Sequence, residues 1–530
     1  MIIRENNDLY RYEIHSLVKA FRPQEPVKVI VRGDPHARKA LRDDPHLFMD
    51  ILFGETLLTV VIYEESPEMP APDFAVSAEA ATNSAANSHS VPEPGDESDE
   101  DFPVGKEAMH RCVPVTNGAG KSRELKDALK TLLYDVLSEY TGRQLPWGDL
   151  IGIRPTKIAM TRLDAGKSEE EVRDGLIREH RVSREKADLA VEIAKREKRI
   201  LSGIHYENGY SLYIGIPFCP TTCLYCSFTS YPIAQWRGQV DEYLSALERE
   251  LAETARIMQG YTLDTVYIGG GTPTSIEADQ LDRLCAAVER YFDMNTVQEF
   301  TVEAGRPDSI TRDKLCALRR HPVTRISINP QTMKDETLKI IGRGHSALQV
   351  RDTFFLARES GFDNINMDII LGLPGEEAAD VAHTIREIEA LGPDSLTVHS
   401  LAIKRASRLR RVIDENGYPV FINTDETMRI AADGAARMDM KPYYLYRQKN
   451  MSGNFENVGY AREGKYGIYN ILIMEEMQTI LAVGAGSITK RVYYQPDGSL
   501  RIERCEDAKD IRTYLECHEE MLARKRRLFA

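Results

Sequence analysis

The sequence predicts an α/β protein built on a partial (β/α)6 TIM-like barrel, and two observations lead to this prediction. The first is that six short β-rich apolar runs alternate with helical patterns over about 190 residues. The second is that polar or glycine-rich residues follow these runs. Strands that alternate with helices pair in parallel, and such barrels carry their active sites at the carboxyl ends of the strands. The six predicted strands are Ser211–Pro217, Thr265–Gly269, Glu299–Glu303, Arg325–Asn329, Ile365–Leu371 and Ser395–His399.

The chain on either side of the barrel differs from it in composition. Short apolar runs with charged turns predict a small N-terminal α/β domain, and apolar stripes at helical spacing predict a helical module just before the barrel. Between these two lies a segment rich in Pro, Ala, Ser and acidic residues. Because it has few large apolar side chains, we interpret it as a disordered acidic linker or insertion. The predicted divisions are residues 1–65 for the N-terminal domain, 66–115 for the linker, 116–205 for the helical module, 206–402 for the barrel and 403–530 for a C-terminal α+β domain on the substrate side.

Composition bears on partners and location. The chain of 530 residues has a formal net charge of −14. Nucleic-acid-binding proteins normally present a basic face, so nucleic acid is not expected as a partner. The N-terminus lacks the apolar core of a signal peptide. The most apolar stretch, Ile51–Tyr63, contains Glu55 and is too short to span a bilayer. We therefore expect a cytoplasmic protein with no membrane span.

Three cysteines lie within eight residues of one another. Cys219, Cys223 and Cys226 follow the first predicted strand at C-x3-C-x2-C spacing. Three thiolates can hold one soft metal centre, but they leave one position of a cubane cluster or a tetrahedral ion open. Zinc completed by a distant fourth ligand, such as His205 or Cys285, is one alternative, and chance is another. The pattern favours a [4Fe–4S] cluster, whose open iron can bind the amino and carboxylate groups of S-adenosylmethionine.

The other five cysteines are scattered along the chain. Eight cysteines in a chain of this length are too few for a disulfide scaffold. Cys285 and Cys316 lie on apolar faces of predicted helices, and we interpret both as buried small hydrophobic residues.

A run of three glycines, Gly269–Gly271, follows the second predicted strand. Glycine lets the backbone approach a ligand with no side chain in the way, so the carbonyl groups of this run can accept hydrogen bonds from an ammonium group. A plain turn is the alternative interpretation. A phosphate-binding P-loop is excluded for this run, because no Gly-Lys-Ser/Thr follows it.

Single polar residues lie at or near the ends of the later strands. They are Glu303, Gln331, Arg343 and Asp368. Each alone has a structural interpretation, but together they supply acceptors for ribose hydroxyl groups and a cation for a carboxylate. The basic residues Lys404, Arg405 and Arg408 follow the sixth strand. They are either a solvated patch or a site for substrate carboxylates.

Taken together, these motifs resemble the radical S-adenosylmethionine superfamily. The segments that resemble its oxygen-independent coproporphyrinogen III dehydrogenase group are Tyr213–Cys219, Val302–Ala304, Arg325–Ser327, Ile341–Arg343, Asn366–Asp368 and Gly372–Pro374. The segments that resemble the HemZ branch of that group are Ile151–Thr156, Leu396–His399 and Tyr443–Asn450. The resemblance covers roughly residues 120–505.

The resemblance implies where the cofactors bind. Cys219, Cys223 and Cys226 would bind the [4Fe–4S] cluster, and Tyr213 would contact the methionine part of S-adenosylmethionine. The residues implied to line the same site are Gly270, Gly271, Thr272, Glu303, Gln331, Arg343 and Asp368. The residues implied to pack near the nucleoside are Tyr225, Ile370 and Ala402.

The resemblance also implies a reaction, the oxidative decarboxylation of two propionates of coproporphyrinogen III to vinyl groups, giving protoporphyrinogen IX for anaerobic haem synthesis. The implied partners are a one-electron donor for the cluster and an unidentified electron acceptor. One position departs from the pattern: Phe228 stands where the well-characterised dehydrogenase branch has a further cysteine. The related haem-chaperone branch also lacks that cysteine. A haem-binding or haem-delivering protein, and another radical enzyme acting on a tetrapyrrole such as a haem-opening methyltransferase, are therefore alternatives.

Overall fold

The computed structural model describes residues 1–23, 25–32, 47–64, 106–116, 120–152, 154–402, 408–417, 423–448 and 451–530. The chain divides into two compact units. The N-terminal unit comprises Met1–Ile151 and Arg178–Ser183, and the barrel unit comprises Gly152–Ile177 and Arg184–Ala530.

The strands and helices are numbered in chain order. The strands are β1 Ile2–Glu5, β2 Lys28–Val31, β3 Leu47–Phe53, β4 Leu57–Glu64, β5 Lys106–Pro114, β6 Gly209–Ile216, β7 Phe218–Cys219, β8 Tyr231–Pro232, β9 Thr262–Gly270, β10 Glu299–Glu303, β11 Arg325–Ser327, β12 Ile365–Leu371, β13 Ser395–Ser400, β14 Lys441–Tyr446, β15 Asn457–Ala461, β16 Thr479–Val483, β17 Ile488–Tyr494 and β18 Leu500–Glu506. The helices are α1 Arg11–Phe21, α2 Arg123–Thr141, α3 Pro155–Asp164, α4 Glu169–His180, α5 Arg184–Ile200, α6 Val240–Ile257, α7 Ala278–Tyr291, α8 Arg312–Arg319, α9 Asp335–Ile340, α10 Ala347–Glu359, α11 Ala378–Leu391, α12 Arg408–Asn416, α13 Asp425–Arg437, α14 Ile468–Glu475, α15 Ile511–Glu516 and α16 His518–Phe529.

The N-terminal unit is a five-stranded sheet in the order β2-β1-β3-β4-β5, with α1 and α2 packed together on it. The sequence placed β5 in the acidic linker, but in the structure it pairs antiparallel with β4, as at Val60↔Arg111. Most β5 side chains are exposed because it is an edge strand, so it lacks the apolar alternation that reveals a half-buried strand. The rest of the predicted linker, residues 66–105, lies outside the described residues.

The barrel unit contains an eleven-stranded sheet in the order β14-β15-β13-β12-β11-β10-β9-β6-β16-β17-β18. Seven neighbouring strands, from β13 to β16 in this order, run parallel. Six of them are the predicted strands, so the α/β class with a barrel-type parallel core is confirmed. The seventh, β16, was not predicted as part of the parallel set. Antiparallel strands flank the set on both sides, and the described strands form an open sheet rather than a closed barrel.

The helices that cover this sheet bury one face each. Helix α6 buries Val240, Tyr243, Leu244, Leu247 and Leu251, the stripe expected of an amphipathic helix. Each such leucine contributes about 1.5–3 kcal/mol when it leaves water. The prediction for Cys285 on α7 is confirmed, because it is fully buried, whereas the prediction for Cys316 on α8 is wrong, because it is exposed.

The helices predicted within residues 116–205 divide between the two units. Helix α2 packs in the core of the N-terminal unit. Helices α3 and α5 belong to the barrel unit, where Lys186 of α5 forms a buried ion pair of 2.8 Å with Glu456. None of the helices in the described ranges is both long enough and apolar enough to cross a membrane.

Candidate active site

A cavity of about 410 Å³ lies at the carboxyl ends of the parallel strands of the barrel unit. The segments that follow β6 and β10 supply its cysteines and Arg306, and the end of β9 with the residues after it supplies Gly270 and Gly271. Strands β12 and β13 supply Asp368 and His399, and the antiparallel strand β14 supplies Tyr446. Residues that are far apart in the sequence therefore line one cavity, as expected at the carboxyl ends of parallel strands.

Most of the residues predicted to bind the cofactors line this cavity. They are Cys219, Cys223, Cys226, Tyr225, Gly270, Gly271, Thr272, Glu303, Gln331, Arg343, Asp368, Ile370 and Ala402. Tyr213 is not among the lining residues. Its ring stacks on those of Tyr267 and Tyr469, with centroids 6.3 and 6.1 Å away. What each of these residues binds remains a prediction.

The three basic residues predicted for the substrate are placed differently. Lys404 and Arg405 lie outside the described residues. Arg408 is the first residue of α12, and it is exposed and does not line the cavity. Its predicted role in carboxylate binding therefore gains no support from the geometry.

The cysteine loop is attached to the barrel at several points. Strand β7 pairs with β8, and the Tyr231 amide donates to the Pro217 carbonyl at 2.8 Å. The Leu224 amide donates to the carbonyl of Ile341 at 3.0 Å, which ties the middle of the loop to the segment before Arg343. The Cys219 sulfur lies 3.5 Å from the hydroxyl oxygen of Thr272. The hydrogen bonds of the Tyr231 and Leu224 amides thus hold the loop without using the thiols.

The thiols fit an iron–sulfur cluster better than a zinc ion. In the described part of the chain, no three His, Cys, Asp or Glu side chains converge on a position for one metal ion. A zinc ion needs such convergence, whereas the cysteines of an iron–sulfur cluster bind separate iron atoms. Burial raises the pKa of the Cys219 thiol to about 11. Ligation requires the thiolate, so binding of the cluster would release protons.

The glycine run is required by close backbone packing. A Cβ atom on Gly271 would lie 2.5 Å from the carbonyl oxygen of Phe218, and Gly270 adopts φ +105°. The amides of Gly271 and Thr272 donate to the carbonyls of Ile216 and Phe218 at 2.8 and 2.7 Å. The run therefore packs directly against the segment that leads into the cysteine loop, and glycine is needed there for steric reasons.

Glu303 lies on the cavity wall among groups that hold it in place. Its carboxylate accepts a short hydrogen bond from the Tyr267 hydroxyl. Burial raises the pKa of Glu303 to about 7, and the nearby Asp368 carboxylate adds to this, while the Tyr267 hydroxyl, Arg325 and the Gly270 amide act in the opposite direction. Glu303 is therefore a carboxyl group that changes charge near neutral pH, next to the glycine run.

Arg343 makes contacts that the sequence did not predict. Its Nη2 atom donates to the Tyr225 hydroxyl at 2.8 Å, and its Nη1 atom donates to the carbonyls of Gly305 and Asn329 at 3.2 Å. Tyr225 itself packs against the apolar cluster that contains Ile370. The arginine and the aromatic residue predicted for two parts of S-adenosylmethionine are therefore in direct contact.

Asp368 belongs to a chain of polar contacts along β12 and β13. The Asn366 amide group donates to its Oδ1 atom at 2.7 Å, and His399 Nε2 lies 3.8 Å from its Oδ2 atom. The Tyr446 hydroxyl is 3.2 Å from His399 Nδ1. Burial opposes the charge of Asp368, but the nearby His399 and the polar groups of Asn366 and Thr397 keep its pKa below the ordinary value. Asp368 is thus an ionised acceptor.

Several polar atoms on the cavity wall have no hydrogen-bond partner in the described structure. They belong to strand β11 and to the second residue after it: Arg325 Nε, Ser327 Oγ and Asn329 Oδ1. Buried polar atoms without partners cost free energy, so such a set indicates a polar ligand. Together with Glu303 and Asp368, these atoms fit a ligand that carries amino, carboxylate and hydroxyl groups, as S-adenosylmethionine does.

Among the cavity residues to which the sequence analysis gave no role, Tyr267, Arg306 and His399 contact predicted site residues. Arg306 and His399 lie at the carboxyl ends of predicted strands, the same signal that identified Glu303. Tyr267 lies inside β9, where only the alternation of inward and outward side chains could have identified it.

Comparison with known proteins identifies the family of the chain. The model of the radical SAM superfamily matches residues 213–388, which include the cysteine loop, the glycine run and Asp368. The oxygen-independent coproporphyrinogen-III oxidase-like protein HemZ of Bacillus subtilis (strain 168) is 40% identical over 404 residues, which cover 75% of this chain and 79% of HemZ. The chain belongs to the HemZ-like family of radical SAM proteins. This confirms the predicted family and both predicted cofactors, a [4Fe–4S] cluster and S-adenosylmethionine.

Two other similar proteins carry different names. The heme chaperone HemW of Bacillus subtilis (strain 168) is 40% identical over 195 residues, which cover 37% of this chain and 51% of HemW. The solved structure of coproporphyrinogen III oxidase (HemN) from Escherichia coli has a TM-score of 0.48 and 22% identity, and the match covers 62% of this chain and 73% of that chain. Of the two relatives found by sequence, one is thus named as an oxidase-like protein and the other as a chaperone.

Proposed function

We propose that the chain is an oxygen-independent coproporphyrinogen III dehydrogenase, which converts two propionate side chains of coproporphyrinogen III to vinyl groups and yields protoporphyrinogen IX. The observation that carries the proposal is the 40% identity to the oxidase-like protein HemZ, which extends over 79% of the length of HemZ. The cavity supports it, because the cysteine loop and the polar residues predicted for S-adenosylmethionine line the same space.

The reaction needs a cofactor because the C–H bonds of a propionate are too weakly acidic for general-base catalysis. When bound, the cluster with S-adenosylmethionine supplies a carbon radical that can remove a hydrogen atom from such a bond. Cys219, Cys223 and Cys226 would hold the cluster, and Glu303 and Asp368 would accept hydrogen bonds from the nucleoside ribose. For each propionate, one hydrogen atom and one carbon dioxide leave the substrate, and one electron passes to an acceptor.

The protein contributes enclosure and orientation. The stacked rings of Tyr213, Tyr267 and Tyr469 pack beside the glycine run, and their apolar surfaces exclude water from that side of the site. The chain of contacts from Tyr446 through His399 holds Asp368 as an ionised acceptor. Such fixed groups reduce the entropy cost of bringing the reacting atoms together. The proposed partners are a tetrapyrrole, a one-electron donor for the cluster and a one-electron acceptor.

A haem-binding or haem-delivering protein is the second candidate, and two observations favour it. One is the identity of 40% to the heme chaperone HemW, although that match covers only 51% of HemW. The other is Phe228, which is 73% exposed at the cavity wall where a dehydrogenase of the well-characterised branch has a cysteine. An exposed aromatic side chain is suited to contact with the face of a porphyrin.

One anaerobic assay separates these functions. The reconstituted protein is incubated with S-adenosylmethionine, a reductant and coproporphyrinogen III, and three products are measured: 5′-deoxyadenosine, carbon dioxide and protoporphyrinogen IX. We expect all three from the wild type and none from the Cys219→Ala variant. Formation of 5′-deoxyadenosine without carbon dioxide would contradict the dehydrogenase. Stoichiometric haem binding without turnover would establish the second candidate instead.

Glu303 predicts a pH dependence of cofactor binding. Because its pKa is raised to about 7, the protein must release a proton to present the carboxylate below that pH. A ligand that needs the carboxylate then binds more weakly as the pH falls, by up to about tenfold per pH unit. We expect the affinity of the cluster-loaded protein for S-adenosylmethionine, measured by equilibrium dialysis, to fall in this way. At high pH, the Glu303→Gln variant should bind S-adenosylmethionine more weakly than the wild type does. Its affinity should no longer change with pH. If the variant keeps the same slope, Glu303 is not the group whose ionisation controls the binding of S-adenosylmethionine.

We also propose a cytoplasmic location. The structure describes all eight cysteines, and all are free of disulfide bonds. Free cysteines are typical of proteins in a reducing compartment.

A further inference from the structure

The segment after β10 brings an arginine to the cysteine loop. Arg306 is 3% exposed, and its Nη1 atom lies 3.5 Å from the sulfur of Cys223. The same atom donates to the carbonyl and hydroxyl oxygens of Thr221 at 3.2 Å. A distance of 3.5 Å suits a hydrogen bond from a guanidinium N–H group to a sulfur, which is a larger atom than oxygen. The guanidinium group therefore contacts both the backbone of the loop and one of its thiols.

The orientation of this guanidinium group is fixed from its other side. Asp308 accepts two hydrogen bonds from it, at 2.8 Å from Nε and 2.6 Å from Nη2. This two-point contact leaves Nη1 to face Thr221 and Cys223. The carbonyl of Arg306 accepts from the amide and the hydroxyl of Ser309 at 2.9 and 2.7 Å, so the backbone is held as well. Because an arginine stays protonated in proteins, a positive charge is permanently present at this position.

We infer that Arg306 raises the reduction potential of the [4Fe–4S] cluster by donating a hydrogen bond to the Cys223 thiolate. Reduction adds one negative charge to a cluster, and a nearby cation and an N–H donor stabilise the reduced state more than the oxidised state. The buried position strengthens this effect, since a low-dielectric surrounding screens the charge less than water does. Asp308 acts as a positioning residue, because it fixes which nitrogen faces the sulfur.

Other groups near the loop are less suited to this role. Arg343 is also close, but its donors are directed to the Tyr225 hydroxyl and to the carbonyls of Gly305 and Asn329. Thr272 lies 3.5 Å from Cys219 through its hydroxyl oxygen, which carries no net charge. The inference concerns the cluster alone, so it holds for a dehydrogenase and for a haem-binding protein.

The test is an anaerobic redox titration of the cluster-loaded full-length protein, without substrate, followed by electron paramagnetic resonance and visible absorption. We expect Arg306→Gln to lower the potential by at least the equivalent of a tenfold change in the ratio of reduced to oxidised cluster, about 59 mV for one electron. Arg306→Lys keeps the charge but loses the two-point contact with Asp308, so a smaller decrease is expected. Asp308→Asn should also give a decrease smaller than that of Arg306→Gln.

A matched control is available on the surface. Arg312→Gln removes the same charge from an exposed ion pair of 2.9 Å with Glu359, and it should leave the potential unchanged. An unchanged potential in Arg306→Gln with normal iron content would overturn the inference. If Arg306→Gln loses its iron, the reduction potential of the cluster in Arg306→Lys is the deciding measurement. A potential equal to that of the wild type in this variant also overturns the inference. Loss of iron from both variants would assign Arg306 a purely structural role. Because no substrate is present, a negative result leaves the decarboxylation assay unaffected.

Discussion

Replacing Cys223 with alanine is expected to abolish iron loading of the protein and the visible absorption of the cluster, while the fold persists. Only three thiols lie in the cavity, so the variant leaves two iron atoms of a [4Fe–4S] cluster without a protein ligand. The loop itself should survive, because the Leu224 and Tyr231 amide hydrogen bonds that hold it do not involve the thiol. The measurement is iron and sulfide content after anaerobic reconstitution, with circular dichroism to show that the fold is retained.

The comparison for this experiment is a cysteine outside the cavity. Cys316 is exposed on α8, and Cys316→Ala should load iron and absorb light like the wild type. Full iron content in Cys223→Ala would show that the three cysteines are not the ligands. Loss of iron from both variants would point instead to a general defect in reconstitution or folding.

The barrel core was predictable from the sequence because parallel strands are buried on both faces. They therefore appear as continuous apolar runs that stand out between helices. The predicted strands Glu299–Glu303 and Ile365–Leu371 have the bounds of β10 and β12. The boundaries of β9 and β11 were less accurate, since the apolar runs there do not coincide with the paired residues.

Pairings between distant parts of the chain were not predictable in the same way. Strand β16 pairs in parallel with β6, as at Leu481↔Leu212, although the other five predicted barrel strands lie between the two in the sequence. Nothing in the local pattern of Thr479–Val483 indicates which strand it joins. Edge strand β5 was missed for a different reason, because its exposed side chains resemble those of a loop.

In the candidate site, the sequence predicted which residues lie near one another but not which side chains contact each other. The rule that function lies at the carboxyl ends of parallel strands correctly brought Glu303, Gln331 and Asp368 to one cavity. It could not show that the Arg343 guanidinium bonds to the Tyr225 hydroxyl, or that Arg306 reaches Cys223. Such contacts depend on side-chain conformations in the folded protein, whereas sequence spacing determines only which strand end a residue occupies.

Replacing Lys525 with methionine is expected to destabilise the barrel unit more than any surface substitution. Lys525 of α16 is 1% exposed, and its ammonium group contacts the buried carboxylates of Glu250 and Asp507, the latter at 2.7 Å. Removal of one partner leaves buried charges without compensation, which lowers the free energy of unfolding by about 3–5 kcal/mol. Calorimetric unfolding of the full-length variant measures this loss.

The network around Lys525 extends to the strand before the cysteine loop. Glu250 also accepts a hydrogen bond of 2.9 Å from the Gly484 amide, which directly follows β16. Tyr243 donates to the Gly215 carbonyl of β6 at 2.6 Å and accepts from the Ala485 amide at 3.0 Å. The C-terminal helix thereby supports the two neighbouring strands β6 and β16 at the end where the cavity lies. We therefore expect Lys525→Met to load less iron as well as to unfold earlier.

The pH dependence of this loss distinguishes buried charge from lost packing. Burial and the neighbouring Glu250 raise the pKa of Asp507 to about 7 even with Lys525 present. Without the ammonium group, both carboxyl groups bind protons more tightly in the folded state, so the variant becomes less stable relative to the wild type as the pH rises.

Lys198→Met is the control, because it breaks an exposed ion pair with Asp164 and should lower the free energy of unfolding by only about 0–1 kcal/mol. A deficit that is the same at all pH values would mean that Lys525 acts through packing of its aliphatic chain and not through its charge.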